Sequence, residues 1–215
     1  MVNDNSVREI TNEEEALAAV RQAGWALEHV PLNLRTAELC LEAVKQAGRA
    51  LEYVPDELKT AELCLAAVKQ FQGALHFVPK KLMTAELCLE AVKQNGYELQ
   101  FVPENLITSE LCLVAVKSNC VALRDVPENL KTSELCLEAV RQEGWALRDV
   151  PKKLMTAEIC LEAVKNDSEV LQIVPNNLKT AELCLEAVMS MIEGILEYMP
   201  EPIQAKIRAA LKSSA

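Results

Sequence analysis

Histidine is nearly absent from this chain: His29 and His76 are the only two. That leaves few bases for nucleophile–base catalysis, and no serine or cysteine has a base close by in sequence. Glycine is scarce, with six residues in all, and none clusters into a phosphate-cradling loop. No CxxC pair or Cys/His cluster has zinc spacing. No apolar run approaches the roughly 18 residues of a membrane helix. Residues 1–10 lack the apolar core of a signal peptide. No stretch alternates like a strand. Basic residues are outnumbered, and the formal net charge is -10. Such a chain repels nucleic acid and anionic membrane. The expectations are no enzymatic activity, no metal, no cofactor, and no nucleic-acid or membrane partner.

What the chain does have is a repeat of 24 residues. Val30-Pro31, Val54-Pro55, Val78-Pro79, Val102-Pro103, Val126-Pro127, Val150-Pro151 and Val174-Pro175 are evenly spaced, and Met199-Pro200 closes the series one residue late. Cys40, Cys64, Cys88, Cys112, Cys136, Cys160 and Cys184 keep the same period. Repeats of this size stack, each burying its apolar side on its neighbours. Stacked helices lie about 8–10 Å apart, whereas a disulfide needs Cα atoms within about 4.4–6.8 Å. The cysteine ladder therefore reads as small buried hydrophobes. Unpaired thiols point to the cytoplasm or another reducing compartment.

The unit TAELCLEAVKQAGRALEYVPDELK, residues 36–59, shows the design. Thr36 suits an N-cap, and Glu38 complements the helix dipole. Leu39, Cys40, Leu41, Ala43, Val44 and Ala47 make a broad apolar face opposite Glu38, Glu42, Lys45 and Gln46. Gly48 is expected to end the helix with a positive φ, as is Gly96 in its unit. Ala50, Leu51 and Val54 suit a short helix or helical turn, which Pro55 ends. The fold class is therefore all-α: an α-solenoid of 24-residue units, each one long helix plus one short helix or helical turn. Residues 1–35 read as a cap and degenerate repeat, 36–204 as seven repeats, the last with a one-residue insertion, and 205–215 as a capping helix and tail. The whole is expected to form one continuous domain. The long helices are expected near 37–47, 61–71, 85–95, 109–119, 133–143, 157–167 and 181–193, and a final helix over 205–211 with Ile207 and Leu211 inward.

TAELCLEAVKQ, NGYELQFVPENL and ALRDVPENLKTSELCLEAV resemble the tandem repeats of the domain-of-unknown-function 4116 family, over residues 12–204. The resemblance implies a helical repeat and brings no known activity and no catalytic residues. The leucine-rich variant repeat is also similar, being about this long and alternating α with 3₁₀ helix. That family's cysteine-rich iron–sulfur segment has no counterpart here.

Differences between units carry the functional reading. With each capping threonine as place 1, place 14 holds Trp25, Arg49, Gly73, Tyr97, Val121, Trp145 and Glu169. Place 17 holds Glu28, Glu52, His76, Gln100, Arg124, Arg148 and Gln172, and place 18 holds His29, Tyr53, Phe77, Phe101, Asp125, Asp149 and Ile173. These places share one side of a helix, and Tyr198 is equivalent once the insertion is counted. Aromatics with arginine suit a binding surface; the alternative is that the rings extend the core. The candidate surface is Trp25, His29, Arg49, Tyr53, His76, Phe77, Tyr97, Phe101, Arg124, Trp145 and Arg148. The expected function is a non-enzymatic scaffold binding a protein or peptide there, and the alternative is a spacer or self-assembling repeat. Oligomeric state is not legible. Cys120 stands where other units have glycine, and reads either as drift at a tolerant site or as a helix-end thiol more exposed and more reactive than the ladder cysteines.

Overall fold

The computed structural model describes residues 10–196 and 199–213. Among these, every regular element is an α-helix or a 3₁₀-helix. The chain divides into two compact units, residues up to Ala122 and from Leu123 onward, and each stacks its repeats as a two-layered α-solenoid. In the first unit, α1 (Glu13–Gln22), α2 (Ala37–Gln46), α3 (Ala61–Gln70), α4 (Ala85–Gln94) and α5 (Ser109–Ser118) pack in sequence order as one layer. The 3₁₀ segments Gly24–His29, Gly48–Tyr53, Ala74–Phe77 and Gly96–Phe101 pack as the other. In the second unit, α6 (Ser133–Gln142), α7 (Ala157–Asn166) and α8 (Ala181–Leu196) stack beside Gly144–Asp149 and Ser168–Ile173, and α9 (Glu201–Ser213) follows.

Each long helix starts as its sequence demands. The threonine hydroxyl at place 1 accepts the backbone N–H of place 4, for example Leu39 to Thr36 at 3.2 Å, satisfying one orphan donor. Leu39, Cys40, Ala43 and Val44 are buried. The far end is satisfied from the next layer: Gln70 Nε2 donates to the Lys45 carbonyl at 3.0 Å, and Gln94 Nε2 to the Val68 carbonyl at 2.8 Å. Place 11, which looks like part of a solvated stripe, is thus a C-cap delivered by a neighbour.

The helix ends correct the sequence reading. Helices α2 to α7 stop about one residue earlier than expected, at an extended residue such as Ala47, with φ −147° and ψ 110°. No described residue has a positive φ, glycines included. Gly48 does not close α2; it opens the 3₁₀ segment. Its requirement is space. A Cβ on Gly48 would stand 2.6 Å from the Ala67 carbonyl oxygen of the next helix, and one on Gly96 would be closer still to that of Ala115. Glycine is used here for close approach, not for a left-handed turn.

The C-terminal end departs too. Helix α8 runs 16 residues to Leu196, past the expected 193, without the break seen in other units. Among the described residues, nothing lies within 4 Å of where a Cβ on Gly194 would be, so no close approach there forces the chain out of the helix. Helix α9 begins at Glu201, with Pro202 tolerated in its first turn. Ile207 and Leu211 are half-buried rather than fully inward.

All eight cysteines are free, and all but the half-exposed Cys184 are buried. Burial pushes the Cys88 and Cys112 thiols up to about 11, which makes them inert as nucleophiles. No described helix is long and apolar enough to cross a membrane. Among the described residues, no three His, Cys, Asp or Glu side chains gather as a metal site would require.

Candidate functional site

The variable places lie in the 3₁₀ layer, as their spacing from the proline predicts. Place 17 is exposed in every repeat from Glu28 to Gln172, while place 18 is half-buried from Tyr53 onward. The first unit holds two ring groupings, and beside them Tyr53 and Tyr97. Trp25, 59% exposed, meets His29 edge-on with centroids 6.1 Å apart. Tyr53 is half-buried; desolvation and then the Glu28 and Glu52 carboxylates push its phenol above the ordinary value. Arg49 pairs with Glu52 at 3.3 Å rather than with a ring. His76 lies 5.2 Å from Phe77 and 4.9 Å from Phe101, centroid to centroid. Tyr97 is 40% exposed, its carbonyl accepting from Gln100 Nε2 at 3.1 Å.

In the second unit Trp145 is half-buried and held on two sides. Its Nε1 donates to Asp167 at 2.8 Å, and the Arg148 guanidinium sits 4.2 Å from its ring centroid. Arg124 stands 3.7 Å from Asp125. Tyr198 lies outside the described residues.

His76 and Phe101 form part of a cleft of about 450 Å³, with Leu75, Val78, Lys80, Met83, Gln100, Val102, Pro103 and Glu104. It lies beside one of the repeats whose place 24 carries no cation, as is also true at Ile107 and Met155. Lys59 Nζ bonds the Phe77 carbonyl at 2.9 Å and the Asp56 carboxylate at 2.8 Å, with its side chain 8% exposed. Arg35 reaches the Tyr53 carbonyl in the same way, and in the second unit Lys131 reaches the Asp149 carbonyl at 3.1 Å. These cations cap the following 3₁₀ segment and fill the space before it. Met83 takes that place in the second full-length repeat and lines the cleft instead.

The next repeat holds a residue that pattern reading passed over. Glu98 is 2% exposed at place 15, where the other repeats have Ala26, Ala50, Ala74, Ala122, Ala146 and Val170. Burial pushes its carboxyl up to about 7, against the lowering effect of a hydrogen bond from the Leu75 backbone. Its Oε2 has no partner among the described residues. The signal was available: one acid in a column of alanines. The preceding 3₁₀ segment is also shortened, because Gln72 holds the glycine place and Gly73 follows it.

The family model for a domain of unknown function, DUF4116, matches residues 12–59, 61–107 and 108–155. These matches cover more than half of the chain, and the chain belongs to that family. No match was found among curated proteins or among solved structures.

Proposed function

We propose that this member of the DUF4116 family is a non-enzymatic scaffold that binds a protein or peptide along the variable side of its 3₁₀ layer. The observation that carries this reading is the cleft beside His76 and Phe101. It is apolar at its base, with Leu75, Val78 and Val102. Exposed His76, Lys80, Gln100 and Glu104 ring it. An apolar floor with a few convergent polar groups is the usual form of a recognition site. The exposed rings of Trp25 and Tyr97 extend this character over the same unit. Repeat folds commonly bind through such variable places while invariant places hold the stack. The buried, raised thiols suit a reducing compartment, and the net charge of -10 favours a basic over an acidic partner.

The test is a binding partner recovered with the wild-type protein and then measured against His76→Ala/Tyr97→Ala/Phe101→Ala. Loss of binding with unchanged helical circular dichroism supports the surface. A folded variant that keeps every partner removes it. Trp145 is left out because Asp167 and Arg148 hold it as part of the stack. A second reading, a self-assembling repeat, is favoured by one separate observation: the exposed apolar face of α8.

A further inference from the structure

Helix α8 repeats the residues that pack one layer on the next, but its far side is bare. In α6 and α7, Val140 and Val164 are 0% exposed. Their equivalent, Val188, is 50% exposed, beside Leu185 at 62% and Met191 at 56%. Cys184 is half-exposed where Cys136 and Cys160 are buried. Helix α9 leaves this face open. It is tied to α8 by Arg208 and Glu193 at 3.0 Å, and its own Ile203 is 46% exposed.

We propose that this face seats a second copy of the chain, α8 against α8 about a two-fold axis perpendicular to the helices. The contact continues an interface the fold already uses: the Cys-Leu-x-x-Val side of each interior helix is the side the next layer covers. Three features choose the second copy. The cation that borders this edge in interior layers is gone. Arg141 pairs with Glu162 of the next helix at 3.3 Å, but the corresponding residue of α8 is Met189. The occupant must therefore offer apolar surface there, and another α8 offers its own Leu185, Val188 and Met189. Head-to-tail stacking onto the first repeat is blocked. There Glu15 stands where later repeats have leucine or isoleucine, and its carboxylate accepts from the Thr11 N–H at 2.8 Å. Covering it with Leu185 would bury a charge without a countercharge. Finally, an antiparallel two-fold sets helix layer beside helix layer and 3₁₀ layer beside 3₁₀ layer. It closes after two copies.

The experiment is light scattering and sedimentation of the whole chain from low concentration up to roughly 100 µM. The expected result is a dimer, with the Leu185→Asp/Val188→Asp variant monomeric and its dimerisation weakened at least about 100-fold. Cys184 labelling gives a second readout that needs no variant. Its rate should fall as wild-type concentration rises, while the buried thiols stay unlabelled throughout. A chain that remains monomeric with concentration-independent labelling overturns the proposal. So do open-ended polymers, or a dimer that the aspartate variant leaves intact. The result is independent of the cleft, since His76→Ala/Tyr97→Ala/Phe101→Ala should dimerise like the wild type.

Discussion

Helices α7 and α8 open with nearly the same ten residues, AEICLEAVKN and AELCLEAVMS, yet Val164 is fully buried and Val188 is half in solvent. The two segments share caps, helix propensity and apolar spacing. They differ in what lies on the far side. Burial in a repeat fold is set by the neighbouring layer as much as by the residue, so one consensus word is core in one place and surface in another.

The sharpest way to break this comparison is to put the same charge into both helices. Val164→Asp should cost about 4 kcal/mol or more, because the carboxylate is buried without a partner. Val188→Asp should change the stability of the isolated chain by about 0.5 kcal/mol or less. Urea melts at low protein concentration measure both, and equal losses would mean that α8 is covered.

The next effect concerns the one acid in a covered position. Glu98 titrates near 7 when folded, against about 4.3 in an unfolded chain. Between those values the folded state keeps a proton that the unfolded state has released. The contribution of Glu98 to stability is therefore greatest below about pH 4, falls as pH rises towards 7, and is level above it. Glu98→Ala restores the residue of most other repeats and should flatten that slope, gaining at most about 3–4 kcal/mol at pH 8. A wild-type slope that persists in the variant would assign it to other groups.

Glycine gives a smaller contrast of opposite sign. Gly48→Ala drives a methyl into the Ala67 carbonyl and should cost about 1–3 kcal/mol. Gly194→Ala meets nothing within 4 Å inside a helix and should gain about 0.5–1 kcal/mol. Thermal melts of the pair test whether close approach, rather than backbone conformation, explains Gly48. Smallest is the cap: Thr84→Ala removes the acceptor for the Leu87 N–H at 3.2 Å and should cost about 1 kcal/mol.

Much of this was legible in residue order. The threonine caps, the apolar faces of α2 to α7 and the Val-Pro breaks are local, and local rules placed them within about one residue. The variable places were identified by their departures from the repeat. What was not legible depends on contacts between layers. Gly48 was misread because its neighbour, the Ala67 carbonyl, belongs to the next unit. Gln70 and Lys59 each cap a carbonyl across a layer boundary, a role that no single repeat displays. The cleft was invisible because two successive repeats line it together, from Leu75 to Met83 and from Gln100 to Glu104.

The sequence by itself determined the repeat length, the helix starts, the burial of the interior cysteines and the family. All follow from side-chain chemistry repeated at a fixed period. Tertiary structure alone decided that the short segments are 3₁₀, that glycine serves close approach, that Glu98 is enclosed, and that α8 ends with its apolar face uncovered. Each of these is a matter of what stands on the far side of a residue. A period within one chain specifies the pattern of every layer but does not say what covers each one.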